Sequence, residues 1–350
     1  VNSRYLVVRF SSLGDVVLTA PVFEAIRNSR PEAHITFLTK AQYADIHRAN
    51  PFLDDVRAFD PGSESLFSLV GWVRGEGFDR IVDLHRSVRS RLLSLLTGVN
   101  TAKYSQERSL RFKLIMRPRF SARKGMRPVV ERYLEAAGWQ GDAGTDPAAV
   151  PRLYLTEKQL EEGSSWRREL IGDKEGRTIA ILPGAKHPPK EWPAVYFSEL
   201  ARLLARRGDI PIILPPPGRT ELADDIAKQA GIEGVLPSEP RGDAVSLASA
   251  LSAADAVVAN DSGPMHVAAA LGVCVVGIFG PTSPELGFAP RGHKAVTVHM
   301  DLYCSPCSKH GNHPCWRGKR YCLEEMEPGM VLEALDALLE EVGIQKDLDL

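Results

Sequence analysis

The stretch RFSSLGDVVLTAP, residues 9–21, places a carboxylate, Asp15, directly after a glycine, where an apolar strand pattern gives way to an apolar helix pattern. Two chemistries suit that position. A helix start favours an anion, so Asp15 can cap or charge the helix. A carboxylate at the mouth of a cleft can also take a proton from a substrate. The two roles are compatible, and Gly14 lets a backbone or a ligand approach closely.

Three further stretches carry groups suited to an anion. In VVANDSGPMHVAAALG (257–272) a strand pattern ends at Asn260 and a helix pattern begins near Pro264. Free N–H groups at that helix start, with the Ser262 hydroxyl and the open backbone of Gly263, form a cradle for a diphosphate. Asp261 and His266 flank it, and a bare helix cap at Asp261 or Ser262 accounts for only part of the set. In LPGAKHPPKEWP (182–193) another strand end places Lys186, His187 and Lys190 in one loop. Cations there suit a leaving diphosphate, although exposed loop lysines are common. PPPGRTELAD (215–224) adds Gly218 and Glu221, a carboxylate that either accepts from ribose hydroxyls or is an ordinary first-turn helix acid.

These groups need a scaffold of strand ends. Short apolar runs at 5–10, 34–39, 56–60 and 78–85 alternate with helical patterns, including one continuous helix over 16–31 and one near 41–49. A Gly-, Pro- and Ala-rich stretch, 138–153, reads as a linker. The alternation then restarts with strands at 178–184, 210–215, 256–260 and 273–280. The expectation is α/β: two doubly wound, Rossmann-like domains, residues 1–155 and 156–328, with a C-terminal helix and tail over 329–350. Ligands in such sheets bind beyond the carboxyl ends of the strands, so an interdomain cleft is the expected site. No strand is followed by G-x-G-x-x-G, which argues against a nicotinamide enzyme.

The 350 residues carry a net charge of −1, which hides an asymmetry. Residues 1–150 hold 22 Lys and Arg against 16 Asp and Glu, whereas residues 151–350 hold 21 against 28. Between 80 and 132 there are 14 basic residues and three acids, Asp83, Glu107 and Glu131. Such a run is either a solvated face or a surface for an anionic partner. Few aromatics interleave it, which disfavours nucleic acid. No apolar run is long enough to span a membrane and no signal peptide is visible, so a cytoplasmic protein is expected, with Val1 an alternative start or a trimmed end. Four of the five cysteines, Cys304, Cys307, Cys315 and Cys322, fall in CSPCSKHGNHPCWRGKRYC. Their spacing is open to a structural metal site (zinc or iron), to disulfides, or to free thiols. Cys274, inside an apolar strand, reads as a small core residue.

Taken together, RFSSLGDVVLTAP, GAKHPPKEWP, the G-x-x-E of Gly218–Glu221, and NDSGPMHVAAALG with FGPT resemble glycosyltransferase family 9, the ADP-heptose:lipopolysaccharide heptosyltransferases. The resemblance spans nearly the whole chain. It implies a GT-B-type fold of two facing domains, with acceptor bound by the first and sugar nucleotide by the second. It implies inverting transfer of heptose from ADP-heptose, with no metal or other cofactor required for the transfer. Asp15 matches the catalytic base, and Lys190 with the Asp261–Gly263 turn would stabilise the leaving diphosphate. Lys186 stands where relatives often carry threonine, and Glu221 matches the ribose contact. The acceptor would be anionic lipopolysaccharide core, met by His85, Arg86 and Arg89 in DLHRSVRSR (83–91). Arg108, Arg111 and Lys113 would meet phosphates or an anionic membrane surface, placing the protein at the inner face of the inner membrane. Other acceptors (a protein hydroxyl or another glycan) and a non-catalytic nucleotide- or polyanion-binding protein are the alternatives.

Overall fold

The computed structural model describes residues 3–116, 125–141, 149–239 and 241–343. Val1, the linker residues 142–148 and the tail 344–350 lie outside the described residues. The chain divides into two compact units. The first comprises Val1–Gln106, Pro128–Thr156 and Asp243–Val245, and the second Glu107–Arg127, Glu157–Gly242 and Ser246–Leu350.

In chain order the first unit contributes β1 (Arg4–Val8), α1 (Leu13–Val17), α2 (Ala20–Ser29), β2 (His34–Lys40), α3 (Ala41–Ala44), β3 (Asp55–Phe59), α4 (Leu66–Glu76), β4 (Arg80–Asp83), α5 (Val88–Thr97) and β5 (Asn100–Lys103). The chain continues through α6 (Arg108–Met116), which clusters with the second unit, and α7 (Val129–Ala136), which returns to the first. All pairings in this sheet are parallel and its order is β3-β2-β1-β4-β5. The central strand β1 is RYLVV, and Leu6, Val7 and Val8 are buried, as a strand covered by helices on both faces requires.

The helix expected over 16–31 is two helices. Pro21 lacks an amide hydrogen but fits a first helical turn, so α2 starts anew there. The helix expected near 41–49 is the short α3 followed by a 3-10 turn, Asp45–His47. The strand β5 and the helices α6 and α7 have no counterpart in the alternation read from the sequence. β5, Asn-Thr-Ala-Lys, lies at a sheet edge and is only partly buried, so it lacks the apolar run that marks an interior strand.

The second unit continues with α8 (Glu157–Ile171), β6 (Thr178–Leu182), α9 (Ala194–Arg206), β7 (Ile210–Ile213), α10 (Thr220–Ala230), β8 (Leu236–Pro237), α11 (Ala244–Ser252), β9 (Ala256–Asn260), α12 (Gly263–Ala270), β10 (Cys274–Phe279), β11 (Ala295–His299), α13 (Tyr321–Glu324) and α14 (Pro328–Glu341). Its parallel sheet runs β11-β10-β9-β6-β7-β8. β6, β9 and β10 are buried along their whole length. α14 packs on α9, β10 and β11, and its Val331, Leu335, Leu338 and Leu339 join the core around Ile278. Fully burying each such side chain stabilises the fold by about 1.5–3 kcal/mol.

Both sheets follow one rule. Counted within its own unit, each places its first strand beside its fourth, so the order reverses between β1 and β4 and again between β6 and β9. That reversal opens a crevice beyond the strand ends where helices diverge to opposite faces. The loops leaving β1, β4, β6 and β9 are therefore the ones that carry chemistry.

Candidate functional site

In the first unit the loop after β1 brings Asp15 to the third position of α1. The Ser12 amide donates to Asp15 Oδ2 at 3.1 Å and the Ser12 hydroxyl to the same oxygen at 2.9 Å. Asp15 thus does satisfy the helix start. Its other oxygen, Oδ1, pairs with Arg9 Nη2 at 2.7 Å, and the Tyr133 hydroxyl lies 3.5 Å from it. Arg9 is itself held: Nε donates to the Ser11 carbonyl at 2.8 Å, Nη1 to the Leu84 carbonyl, and the guanidinium lies over the Tyr133 ring. The Asp15 side chain keeps 18% of its surface exposed, enough for a small group to reach it.

Burial by itself opposes ionisation of Asp15. The Arg9 charge and the two Ser12 bonds outweigh it and hold the carboxyl below the usual carboxylate range. Asp15 is therefore an ionised carboxylate throughout the neutral range. Arg9 is raised despite its burial, chiefly by the charge of Asp15. Burial lifts the Tyr133 phenol well above its ordinary value, so it is a neutral hydroxyl.

His85, Arg86 and Arg89 follow β4 across the same reversal point. Their loop is organised by Asp83, which is 1% exposed. Asp83 Oδ1 accepts from the amides of His85 and Arg86 at 2.9 and 2.8 Å, and Oδ2 from the Ser90 hydroxyl at 3.0 Å. The ring of His85 meets Phe10 edge-on, and its Nδ1 is buried without a hydrogen-bond partner. Burial, then the charges of Arg9, Lys40 and Arg89, push His85 down to about 4, against a smaller opposing effect of Asp15. His85 is therefore neutral at pH 7 and offers a hydrogen bond rather than a positive charge. Arg86 spends one nitrogen on the Tyr104 carbonyl at 3.0 Å, and Arg89 lies over the Phe59 ring.

In the second unit the loop after β6 forms a 3-10 turn, Pro188–Lys190. Lys190 Nζ pairs with Asp261 Oδ2 at 2.5 Å, and the Thr282 hydroxyl donates to the same oxygen at 2.6 Å. The turn is anchored by Asn260 at the end of β9: its Oδ1 accepts from the Trp192 amide at 2.9 Å and its Nδ2 donates to the Pro183 carbonyl at 2.8 Å. Glu191 ties the loop to the next strand end, accepting from the Ala185 amide and pairing with Arg219. Ser262 is the cap residue of α12 but makes no side-chain capping bond, and its Oγ is shielded without a partner. A plain helix cap would have used it. His266 lies buried in the first turns of α12, beyond Gly263.

Lys186 and His187 share the loop. Burial, followed by the charges of Lys186 and Lys190, lowers the His187 ring. Gly218 takes φ +78° before α10, a left-handed conformation that suits glycine. Glu221 is exposed in the first turn of that helix. The structure thus brings Lys190, Asp261, Ser262 and Gly263 to one pair of strand ends. No contact joins Glu221 to them among the described residues.

The four clustered thiols line a small pocket with Gly280, Pro281, Trp316, Arg317 and Tyr321. None is in a disulfide. Burial raises Cys322 to about 12, and the other three thiols add to the rise. Of the metal, disulfide and free-thiol readings, free thiols are what the structure shows. Cys307 and Cys315 donate their thiols to the carbonyls of Pro281 and Lys319, and Cys304 takes a bond from Arg317. Among the described residues, no group of three or more His, Cys, Asp or Glu is placed to hold a metal ion.

Sequence reasoning missed Arg9, Tyr133, Lys40 and Thr282. Arg9 and Thr282 follow strand ends and Lys40 closes β2, which is a usable signal. Tyr133 has none, since it reaches Asp15 from 118 residues away.

Two parallel-sheet α/β units, each with its polar residues at the reversal point, make up a GT-B-type fold. The family model of glycosyltransferase family 9 (heptosyltransferase) matches residues 66–315, and the chain belongs to that family. It is similar to lipopolysaccharide heptosyltransferase 2 of Escherichia coli strain K12, at 26% identity over 96% of this chain and 98% of that protein. Its fold matches the solved structure of E. coli ADP-heptose lps heptosyltransferase II, with a TM-score of 0.72, 23% identity and coverage of 97% of this chain and 99% of that one. It also matches the glycosyl transferase family 9 structure from Veillonella parvula, with a TM-score of 0.79, 22% identity and coverage of 97% and 98%.

Proposed function

We propose that this chain transfers heptose from ADP-heptose to the inner core of lipopolysaccharide, with inversion at the anomeric carbon and no metal in the transfer. The observation that carries the reading is the placement of an ionised Asp15 at one reversal point and of Lys190 beside a helix start whose Ser262 hydroxyl is shielded and unpartnered at the other. The relatives named for this donor and acceptor support it.

In this reading the first unit binds acceptor and the second binds donor. The acceptor hydroxyl oxygen attacks the anomeric carbon, the bond from that carbon to the diphosphate breaks, and Asp15 takes the hydroxyl proton. The hydroxyl becomes acidic only as the new bond forms, so the base must be ionised and near rather than strongly basic. ADP leaves with its bonding electron pair. Lys190, the amides of Ser262 and Gly263 and the Ser262 hydroxyl receive that charge. Asp261 holds Lys190 until the diphosphate replaces it. Lys186 and His266 border the phosphates, while Gly218 and Glu221 border the ribose. Arg86, Arg89 and a neutral His85 contact the acceptor's sugars and anionic groups.

The same reading puts the protein in the cytoplasm, peripheral to the inner membrane where a lipid-anchored acceptor lies. No described helix is long and apolar enough to cross a membrane. The exposed Phe112 and Met116 on the basic helix α6 favour surface contact.

The test is ADP release from ADP-heptose, with and without a heptose-deficient lipopolysaccharide acceptor, for the wild type and Asp15→Ala. Acceptor-dependent release abolished by the substitution supports the reaction and the base. Tight donor binding without release on any such acceptor moves the acceptor assignment elsewhere. Undiminished release by Asp15→Ala removes the base assignment.

A further inference from the structure

Among the motifs the transfer reaction does not use, the cysteine-rich segment between β11 and α13 is the longest. It lies against the loop that carries Lys190. Gly311, at φ +65°, is pressed so closely on that lysine that an added Cβ would sit 2.2 Å from Lys190 Cγ and 2.7 Å from Cδ. The backbone of the segment is thus the wall along which the lysine's aliphatic stem runs. Gly311 is fixed in turn by Ser308, whose hydroxyl accepts from the Gly311 amide at 2.9 Å and the His310 amide at 3.3 Å. At the far end Arg320 Nη1 donates to the carbonyls of Pro188 at 3.3 Å and Glu191 at 2.9 Å, gripping the Lys190 turn on both sides.

The segment also holds the lysine's partner. The amides of Cys307 and Ser308 donate to the Pro281 carbonyl at 3.0 and 3.1 Å, and the Ser305 hydroxyl to the Gly280 carbonyl at 2.9 Å. Gly280 and Pro281 immediately precede Thr282, which bonds Asp261. One loop therefore braces both ends of the Lys190–Asp261 pair.

We infer that the cysteine-rich loop is a positioning element for the Lys190 ammonium, with Gly311 and Arg320 as the residues that transmit its hold. This rests on the reading of Lys190 as the cation that meets the donor diphosphate. The four thiols lie within this segment, lining a small pocket with Gly280 and Pro281 beside Thr282.

A lysine displaced by about 1 Å can cost on the order of 100-fold in rate. The test is steady-state transfer, with donor and acceptor varied separately, for the wild type, Lys190→Met, Arg320→Met, Arg320→Lys, Gly311→Ala and the double variant Lys190→Met/Arg320→Met. Thermal unfolding midpoints are measured alongside. Arg320→Met and Gly311→Ala are expected to lower kcat or raise donor KM by about 10-fold or more, leaving acceptor KM unchanged. Arg320→Lys restores most of the loss, because a single donor still reaches the two carbonyls. The double variant is no slower than Lys190→Met alone, since Arg320 acts through the lysine.

A double variant whose losses multiply shows that Arg320 acts elsewhere and overturns the inference. So do Arg320→Met and Gly311→Ala at wild-type rate when Lys190→Met is slow. Lys190→Met at full rate removes the reading of Lys190 and the inference with it. A lowered midpoint alone does not produce non-multiplying losses, so the cycle separates positioning from instability.

Discussion

Arg9 and Asp15 form an ion pair of 2.7 Å at the end of the central strand of the first unit, with side chains only 9% and 18% exposed. The pair answers how a largely buried carboxylate can still be charged. Without Arg9, burial would favour the neutral acid. With it, the carboxyl stays ionised at all pH values where the fold is expected to work. The wild-type enzyme should therefore show no acidic limb from Asp15 in kcat/KM between about pH 5 and 8. In Arg9→Met the limb should move upward, toward neutral pH, since the lost charge had lowered the carboxyl. A pH profile of transfer for both proteins checks this, and an unmoved limb would show that Arg9 does not tune the base.

Asp15→Asn keeps the shape and most of the hydrogen bonds but cannot accept the proton. Transfer should fall by roughly 100- to 10,000-fold, the usual contribution of a positioned base. Binding of ADP should change little, because the donor reading places it in the other unit. Calorimetric titration with ADP beside the rate assay separates the two. Equal loss of ADP binding and of rate would count against a base confined to the acceptor side.

How much of this was legible in the sequence follows from where each signal lies. Asp15, Lys190 and Asp261 follow apolar strand runs, so the local pattern marks them as candidates, and the family resemblance set Lys190 apart from the other loop lysine. The alternation of strands and helices gave the α/β class for the same reason. Sheet order is a long-range property, and no local period encodes it. The edge strand β5 lacks an apolar run because one of its sides faces no partner strand. The residues that tune the site were the hardest to read. Tyr133 meets Asp15 from α7, and Arg320 reaches the Lys190 turn from more than a hundred residues away. The cysteine spacing left a metal site, disulfides and free thiols open, and it could not show that two of the thiols donate to backbone carbonyls.

His47 gives a stability prediction. It is 1% exposed, and its Nε2–H donates to the Val16 carbonyl in α1 at 2.9 Å. Burial pushes the ring down to about 4, with the bond to Val16 opposing only in part. At pH above about 6.5 the ring is neutral folded or unfolded, so it adds no pH dependence. Between about 6.5 and 4 the unfolded chain takes a proton that the folded chain refuses. Stability therefore falls as pH drops through that window, by an amount on the order of 3 kcal/mol. Urea midpoints from pH 7 to 4 should show the loss in the wild type and a smaller one in His47→Gln. Parallel curves would mean that other groups, His85 among them, carry the acid sensitivity.

The helix α6 supplies the last prediction. Its sequence, RSLRFKLIM, contains three basic residues and no acid. Leu114 is buried with Met126 and Leu286, whereas Phe112 and Met116 are 64% and 61% exposed. A helix that buries one apolar edge and leaves two large apolar side chains among cations is suited to the headgroup region of an anionic bilayer. Each exposed side chain that enters that region contributes about 1–2 kcal/mol, and each nearby cation about 1 kcal/mol. The protein should sediment with phosphatidylglycerol-containing vesicles at low salt and much less with zwitterionic ones. Phe112→Ser/Met116→Ser should weaken that binding by roughly 10-fold or more, while transfer to a water-soluble acceptor fragment is unchanged. Vesicle binding that survives the double substitution but disappears in high salt would assign the contact to charge alone, and binding to neither vesicle would remove the surface role of α6.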